Sequence, residues 1–178
     1  RTLGDLKGMK VRVLATKMES ALVGKFGATG VPMPYTEVLP ALQRGTLDAA
    51  RTAIIVMTGS KFYTVTKFVT VVESGMVPSA VIASKAFMKK LSKEQADYVR
   101  STVGGLSKWA NDTAIEYGKK AEQTWKDNGA EVIRLSDADQ NEFISRVRPL
   151  GDEFLGTNDK TKDMFNLLKA AAARARNG

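Results

Sequence analysis

Neither cysteine nor histidine occurs among the 178 residues. The first absence excludes a disulfide framework and thiolate chemistry, yet fits the cytosol and an oxidising compartment equally. The second removes the commonest acid/base group at neutral pH, the Ser-His-Asp and Cys-His arrangements, and the usual zinc sites. An enzyme would have to work with Asp, Glu, Lys, Arg, Tyr or Ser alone, so the chain reads as a binding protein rather than a catalyst. No apolar run approaches about 18 residues, so no transmembrane span is expected. The stretch G-K-F-G-A-T-G at 24–30 lacks the G-x-x-x-x-G-K-[ST] order and does not directly follow a strand, and no dinucleotide fingerprint is present, so no cofactor is expected. Nor is a metal site: the nearest carboxylate cluster, Asp137 and Asp139, is explained by helix capping.

What is present is an apolar fraction of 43%, ample for a folded core, and a net charge of +8. That sign suits nucleic acid, an anionic membrane surface or a small anion. The lysine pairs Lys89-Lys90 and Lys119-Lys120 and the arginines of the C-terminal tail are spread among Glu116, Glu122, Asp152 and Asp163. A single-strand binder would interleave stacking aromatics with its basic residues, and this pattern is missing. A nucleic-acid-binding domain and the effector-binding domain of a transcriptional regulator stand as the alternatives to small-anion capture.

In chain order, residues 5–8 read as a helical turn closed by glycine and residues 9–14 as a strand with Lys10 and Arg12 on one face. Arg12 is either part of an exposed basic edge or an arginine at a cleft rim, where its planar fork holds a carboxylate through paired charge-assisted hydrogen bonds. Residues 17–27 form a helix ending at Gly27. Residues 31–34 form a proline-rich extended segment, and Thr36 caps a helix that Pro40 bends and Gly45 stops. A short strand or loop entry at 46–50 precedes an apolar run at 53–57. Residues 68–74 and 77–84 are the clearest strands, β-branched and nearly continuous in apolar character, as in a sheet buried on both faces. From Ser92 a capping box opens a helix of some 33 residues, about 50 Å long, that ends at Asn128-Gly129. Within it Gly104-Gly105 implies close packing or a bend, and Trp109, Tyr117 and Trp125 read as core or seam residues. A strand at 130–135, a helix opening at 136–139 and bent by Pro149, and a last helix from 158–159 complete the chain.

The ordered set D-L-K-G-M-K-V-R-V at 5–13, V-P-M-P-Y-T-E-V-L-P-A-L-Q-R-G-T-L-D at 31–48, K-F-Y-T-V-T-K-F at 61–68, S-K-A-F at 84–87, L-S-K-E-Q at 91–95 and G-A-E-V-I-R-L after the long helix resembles the C-terminal part of the TRAP transporter solute-binding proteins, the DctP-like family. The resemblance implies an α/β fold of the type II periplasmic binding protein kind, with a mixed sheet covered by helices, a long spine helix and the N-terminal lobe largely missing. It implies residues 1–74 in the ligand-binding lobe with a crossover, 75–91 as a returning strand and short helix, 92–128 as the spine, and 129–178 as a late strand and C-terminal helices. It further implies a periplasmic protein, made with a signal peptide, that captures a small organic acid and passes it to a membrane permease. With the cleft half open, self-association through its exposed face is expected.

By resemblance the ligand carboxylate pairs with Arg12, and Tyr35 lines the cleft. Where relatives read D-G-x-E-N, this chain reads Asp48-Ala49-Ala50-Arg51-Thr52, so Arg51 and Thr52 take the acidic and asparagine places. Thr52 has one hydroxyl to offer the ligand. Arg51 is either a second cation suited to a more anionic ligand or a solvent-facing charge. Leu14 stands where a proline is common.

Overall fold

The computed structural model describes residues 1–75, 81–156 and 159–177. Val11 and Val13 alternate with Lys10 and Arg12, and this period of two makes β1 (Lys10–Val13) a strand with different chemistry on each face. β1 is the centre of a three-stranded parallel sheet, flanked by β2 (Thr29–Pro32) and β3 (Ala49–Ala50). Its connections are α1 (Lys17–Gly24) and α2 (Tyr35–Gln43). One face of β1 sends Val11 and Val13 into a cluster with Val23 and Ala28, joined by Leu22 and Ala49. The other face adjoins Val31, Met33 and Ala50, which pack against a larger core. Pro32 falls at the outer end of β2, where a residue without an N–H costs no ladder bond.

Thr16 caps α1 by accepting from the Glu19 N–H at 3.1 Å. Thr36 does not cap α2, contrary to expectation: the helix starts one residue earlier at Tyr35, and its cap position is held by Pro34. The rigid Pro32-Met33-Pro34 entry sets that start, because proline disfavours helical geometry in the residue before it. α2 runs on through Pro40 to Gln43.

The apolar run after β3 folds as α3 (Ile54–Gly59), whose Met57 is buried. A single 3-10 turn, Phe62–Thr64, leads to β4 (Phe68–Val71), which pairs in parallel with β5 (Glu131–Arg134) to make a second, two-stranded sheet. The expected mixed sheet is thus narrowed: among the described residues every pairing is parallel, in two small sheets. Burial on both faces does not hold for β4, where Val69 is covered but Phe68 is 58% exposed. The strand expected at 77–84 lies outside the described residues up to Ser79 and Ala80. Over 81–84 no ladder forms, and Val81 and Ile82 are exposed. β-branched composition suits a pleated, half-buried surface, but a strand needs a partner edge, and none of the described chain lies there.

α4 (Lys85–Met88) precedes α5 (Lys93–Asp127), 35 residues opened by a reciprocal Ser92/Gln95 capping box. At 1.5 Å per residue α5 is about 52 Å long. Its ends are anchored by Ala96 at one side and by Ala121 and Trp125 at the other. The stretch between has no buried residue, and Trp109 and Tyr117, read as core from their spacing, are 64% and 55% exposed. Close packing at Gly104 and Gly105 is likewise absent: nothing lies within 4 Å of a Cβ built on either.

α6 (Asp137–Val147) is capped by Ser136, and its Phe143 stacks on Phe26 at 5.2 Å. Pro149 starts a new helix, α7 (Pro149–Leu155), at the first helical position, where its missing N–H costs nothing, instead of bending α6. α8 (Asp159–Asn177) follows. Among the described residues no helix is long and apolar enough to cross a membrane.

The glycines separate two roles. Gly104→Ala and Gly105→Ala, on an open helix surface, are each expected to raise stability by about 1 kcal/mol in thermal or urea unfolding. Gly30→Ala would place its methyl 2.8 Å from Ser20 Cα, where β2 meets α1, and is expected to lower stability by about 1–3 kcal/mol in the same measurement.

Candidate functional site

Arg12 is the third residue of β1, and strand alternation turns it away from the α1 face toward Val31, Met33 and Ala50. It is 4% exposed, which removes the exposed-edge reading for this residue. Lys10, of the same parity, remains exposed at the opposite end of the strand. Two contacts hold the guanidinium. Its Nε donates to the Met33 carbonyl at 3.1 Å. Pro34 keeps Met33 extended, so that carbonyl is fixed by sequence. Its Cζ lies 5.6 Å from the centroid of the Tyr35 ring, a cation–π distance.

Tyr35 is in turn immobilised. Its hydroxyl donates to the Val56 carbonyl at 2.8 Å, and its ring stacks on Phe62 with centroids 5.7 Å apart and planes 8° from parallel. Phe62 is 2% exposed and belongs to the large core. The aromatic beside Arg12 is therefore tied to the folded interior at both its edge and its face.

The remaining feature is an unmet demand. Arg12 Nη1 is buried and has no hydrogen-bond partner, alone in this respect among the side-chain atoms of the described residues. No carboxylate of the described chain forms an ion pair with Arg12. An unpaired buried charge costs several kcal/mol, so this site is complementary to an anion supplied from outside.

Arg51 and Thr52 leave β3 next to this group. The Arg51 N–H donates to the Arg12 carbonyl at 2.9 Å, extending the ladder by one bond. Ala49 packs with Val11 and Val13, whereas Ala50 packs on the Arg12 side, so Arg51 returns to the α1 face by alternation. There its Nη1 pairs with Glu19 of α1, and its Nη2 donates to Ser74 Oγ at 3.2 Å. Arg51 is neither solvent-facing nor free: its charge is met inside the chain. Thr52 is half-buried.

The structure thus brings Arg12 and Tyr35 together, sets Thr52 two residues beyond the Arg12–Ala50 register and directs Arg51 to Glu19. Sequence reasoning missed the Met33 carbonyl, Phe62 and Glu19. The two prolines around Met33 were a usable signal. Glu19 gave none, being 32 residues from Arg51. Two open concavities lie elsewhere, one at the start of α5 by Gln95 and Tyr98, the other by Lys7, Phe26 and Arg146; Arg12 lines neither. Among the described residues no group of three or more carboxylates is gathered in a metal-holding arrangement.

Residues 1–157 match the family described as bacterial extracellular solute-binding protein, family 7, DctP. The 2,3-diketo-L-gulonate-binding periplasmic protein YiaO of Escherichia coli is 32% identical over 165 residues, which are 93% of this chain and 47% of that protein. The C4-dicarboxylate-binding periplasmic protein DctP of Rhodobacter capsulatus is 29% identical over 84% of this chain and 45% of its own length. The chain therefore spans about half the length of the curated relatives it matches. Among solved structures, a TRAP periplasmic solute binding protein from Xanthobacter autotrophicus with bound β-D-galacturonate superposes with a TM-score of 0.83 at 27% identity, covering 94% of this chain and 55% of that one. One from Desulfovibrio salexigens with bound orotic acid reaches 0.88 at 22% identity, over 97% and 56%, which shows the shared fold.

The unpaired guanidinium gives a stability prediction that runs against the usual direction for core substitutions. Arg12→Met replaces a buried charge by an apolar chain of similar length and is expected to raise the stability of the ligand-free chain by about 1–4 kcal/mol in urea unfolding. A lowered midpoint would mean that the guanidinium is already satisfied within the fold.

Proposed function

The chain belongs to family 7 of the bacterial extracellular solute-binding proteins, the DctP family, and from that premise we propose that it carries the carboxylate-clamping part of a periplasmic receptor for a small organic acid in a TRAP transporter. The observation that carries this reading is Arg12 Nη1, buried, charged and without a partner beside an immobilised aromatic ring. 2,3-Diketo-L-gulonate, C4-dicarboxylates and galacturonate, the compounds named for the relatives above, share a carboxylate and differ elsewhere. A carboxylate is also what a pre-oriented guanidinium recognises best.

In this reading the ligand enters a site whose cation is already fixed, so little conformational freedom is lost on binding. Tyr35 and Phe62 exclude water from the charged contact, which strengthens it relative to a solvated pair. Thr52 offers its hydroxyl to a neutral part of the ligand. Arg51 acts from behind the sheet, paired with Glu19, and of these two arginines Arg12 supplies the positive charge. The ligand leaves chemically unchanged and is handed to the membrane permease; no acid/base or nucleophilic step is required of a chain that lacks histidine and cysteine.

A thermal-shift screen against 2,3-diketo-L-gulonate, D-galacturonate, succinate and orotate tests the proposal. A ligand at a hundred times its dissociation constant is expected to stabilise the chain by about 2.7 kcal/mol, and Arg12→Ala is expected to abolish that shift while leaving a cooperative unfolding transition. Equal shifts in the parent chain and in Arg12→Ala would overturn the assignment of Arg12.

A further inference from the structure

Both members of the Arg51–Glu19 pair are fixed from their backbones. Glu19 is the third residue of α1, where its N–H donates to the Thr16 cap at 3.1 Å, and the Arg51 N–H donates to the Arg12 carbonyl at 2.9 Å. The pair is also screened from water, with 29% of the arginine side chain and 14% of the glutamate side chain exposed, and Arg51 makes a further bond to Ser74 Oγ at 3.2 Å. Two opposite charges are therefore held behind the sheet whose other face carries Arg12.

The charges of this region can be counted. Along the three strands and the residues next to them, 9–14, 28–33 and 48–51, the charged side chains are Lys10, Arg12, Asp48 and Arg51. Lys10 and Asp48 meet at the start of β1, where Asp48 accepts from the Lys10 N–H at 2.7 Å, and their signs cancel. Glu19 cancels Arg51 in the same way. One net positive charge is left, that of Arg12, and it is the buried one without a partner.

Without Glu19 the count would be two. Arginines that leave neighbouring strands on opposite faces of a sheet hold their charges roughly 10–15 Å apart. At an effective dielectric constant of about 20, a unit charge at that distance changes the affinity for a singly charged anion on the order of fivefold after screening, and for a doubly charged anion by about the square of that. A second carboxylate that finds no cation gains nothing here and still loses its water.

We propose that Glu19 is a remote specificity determinant: by cancelling Arg51 it limits this wall of the site to one net positive charge, and so favours an acid with one carboxylate over an acid with two. This rests on the organic-acid reading above and narrows its ligand class to monocarboxylates. Glu19 does not touch the ligand. It acts through the field of the pair, so its signature is a dependence on ligand charge, whereas a merely structural prop would change the affinity for every ligand alike.

The test compares succinate with succinamate, which has the same chain length and one carboxylate instead of two, by calorimetric titration at neutral pH. The parent chain is expected to bind succinamate at least as tightly as succinate. Glu19→Gln leaves Arg51 uncancelled and is expected to tighten succinate at least about threefold more than succinamate, while Arg51→Gln leaves Glu19 uncancelled and is expected to move the ratio the opposite way. The double variant restores a neutral backing and Glu19→Asp keeps one, so both are expected to return the ratio to within about twofold of the parent, and sodium chloride at about 0.5 M is expected to shrink the differences. A parent that prefers succinate, an unchanged ratio in both single variants, or a shift in the same direction in both would overturn the role of Glu19 and leave the Arg12 reading standing. Binding that survives in Arg12→Ala, or no saturable binding of either compound to the parent, would overturn both.

Discussion

The structure turns on one buried cation with an incomplete set of partners. Arg12 sits at the middle strand of a parallel sheet, and its neighbours meet it with a carbonyl at Nε and a ring beside Cζ, neither of which neutralises its charge. A fold concerned only with stability would place a carboxylate there or replace the arginine by a hydrophobe. Keeping the charge unpaired lowers stability, and what the fold retains at that cost is a guanidinium fork held in one position. The surrounding sequence serves this end: β1 fixes the backbone, two prolines fix the Met33 carbonyl, and Phe62 and the Val56 carbonyl fix Tyr35.

The same core that fixes Tyr35 reaches the far side of the chain. Val38 and Ala41 of α2, Met57 of α3, Phe62, Val69 of β4 and Trp125 of α5 form one buried cluster. Trp125 is its largest member. Its indole N–H donates to Thr58 Oγ1 at 3.0 Å, and Tyr63 meets its ring edge-on at 6.1 Å. The C-terminal end of α5 is therefore part of the same packed body as the site, and the sheet carrying Arg12 is coupled to it through α2 and α3. The central stretch of α5 has no such partner within the described residues, although its sequence carries the aromatic side chains of a packed helix.

Strand alternation sorts the two arginines of the site region. Arg12 and Arg51 are adjacent through the backbone, yet one faces the large core and the other faces α1. A shift of one residue in register would exchange them. Glu19 absorbs the charge of Arg51, so of these two arginines only Arg12 presents an unmatched cation. Arg51 thus serves as support behind the sheet, and Thr52, half-buried, follows it.

Periodicity and capping chemistry determined the ordered elements: β1 from its alternation, α5 from its Ser92 and Gln95 start, and α6 from Ser136. These are local properties, set by backbone geometry and side chains a few positions apart. Tertiary structure decided what depends on distant partners. It made an exposed segment of 81–84 for want of a neighbouring strand edge, and left Trp109 and Tyr117 uncovered while burying Trp125 at the same eight-residue spacing. It also closed the Arg51–Glu19 pair across 32 residues and left Arg12 Nη1 without one. Sequence names the groups that can bind or pack, because propensity acts locally. Which of them are satisfied is settled only in three dimensions, where burial removes water and each polar atom must find a partner or go without.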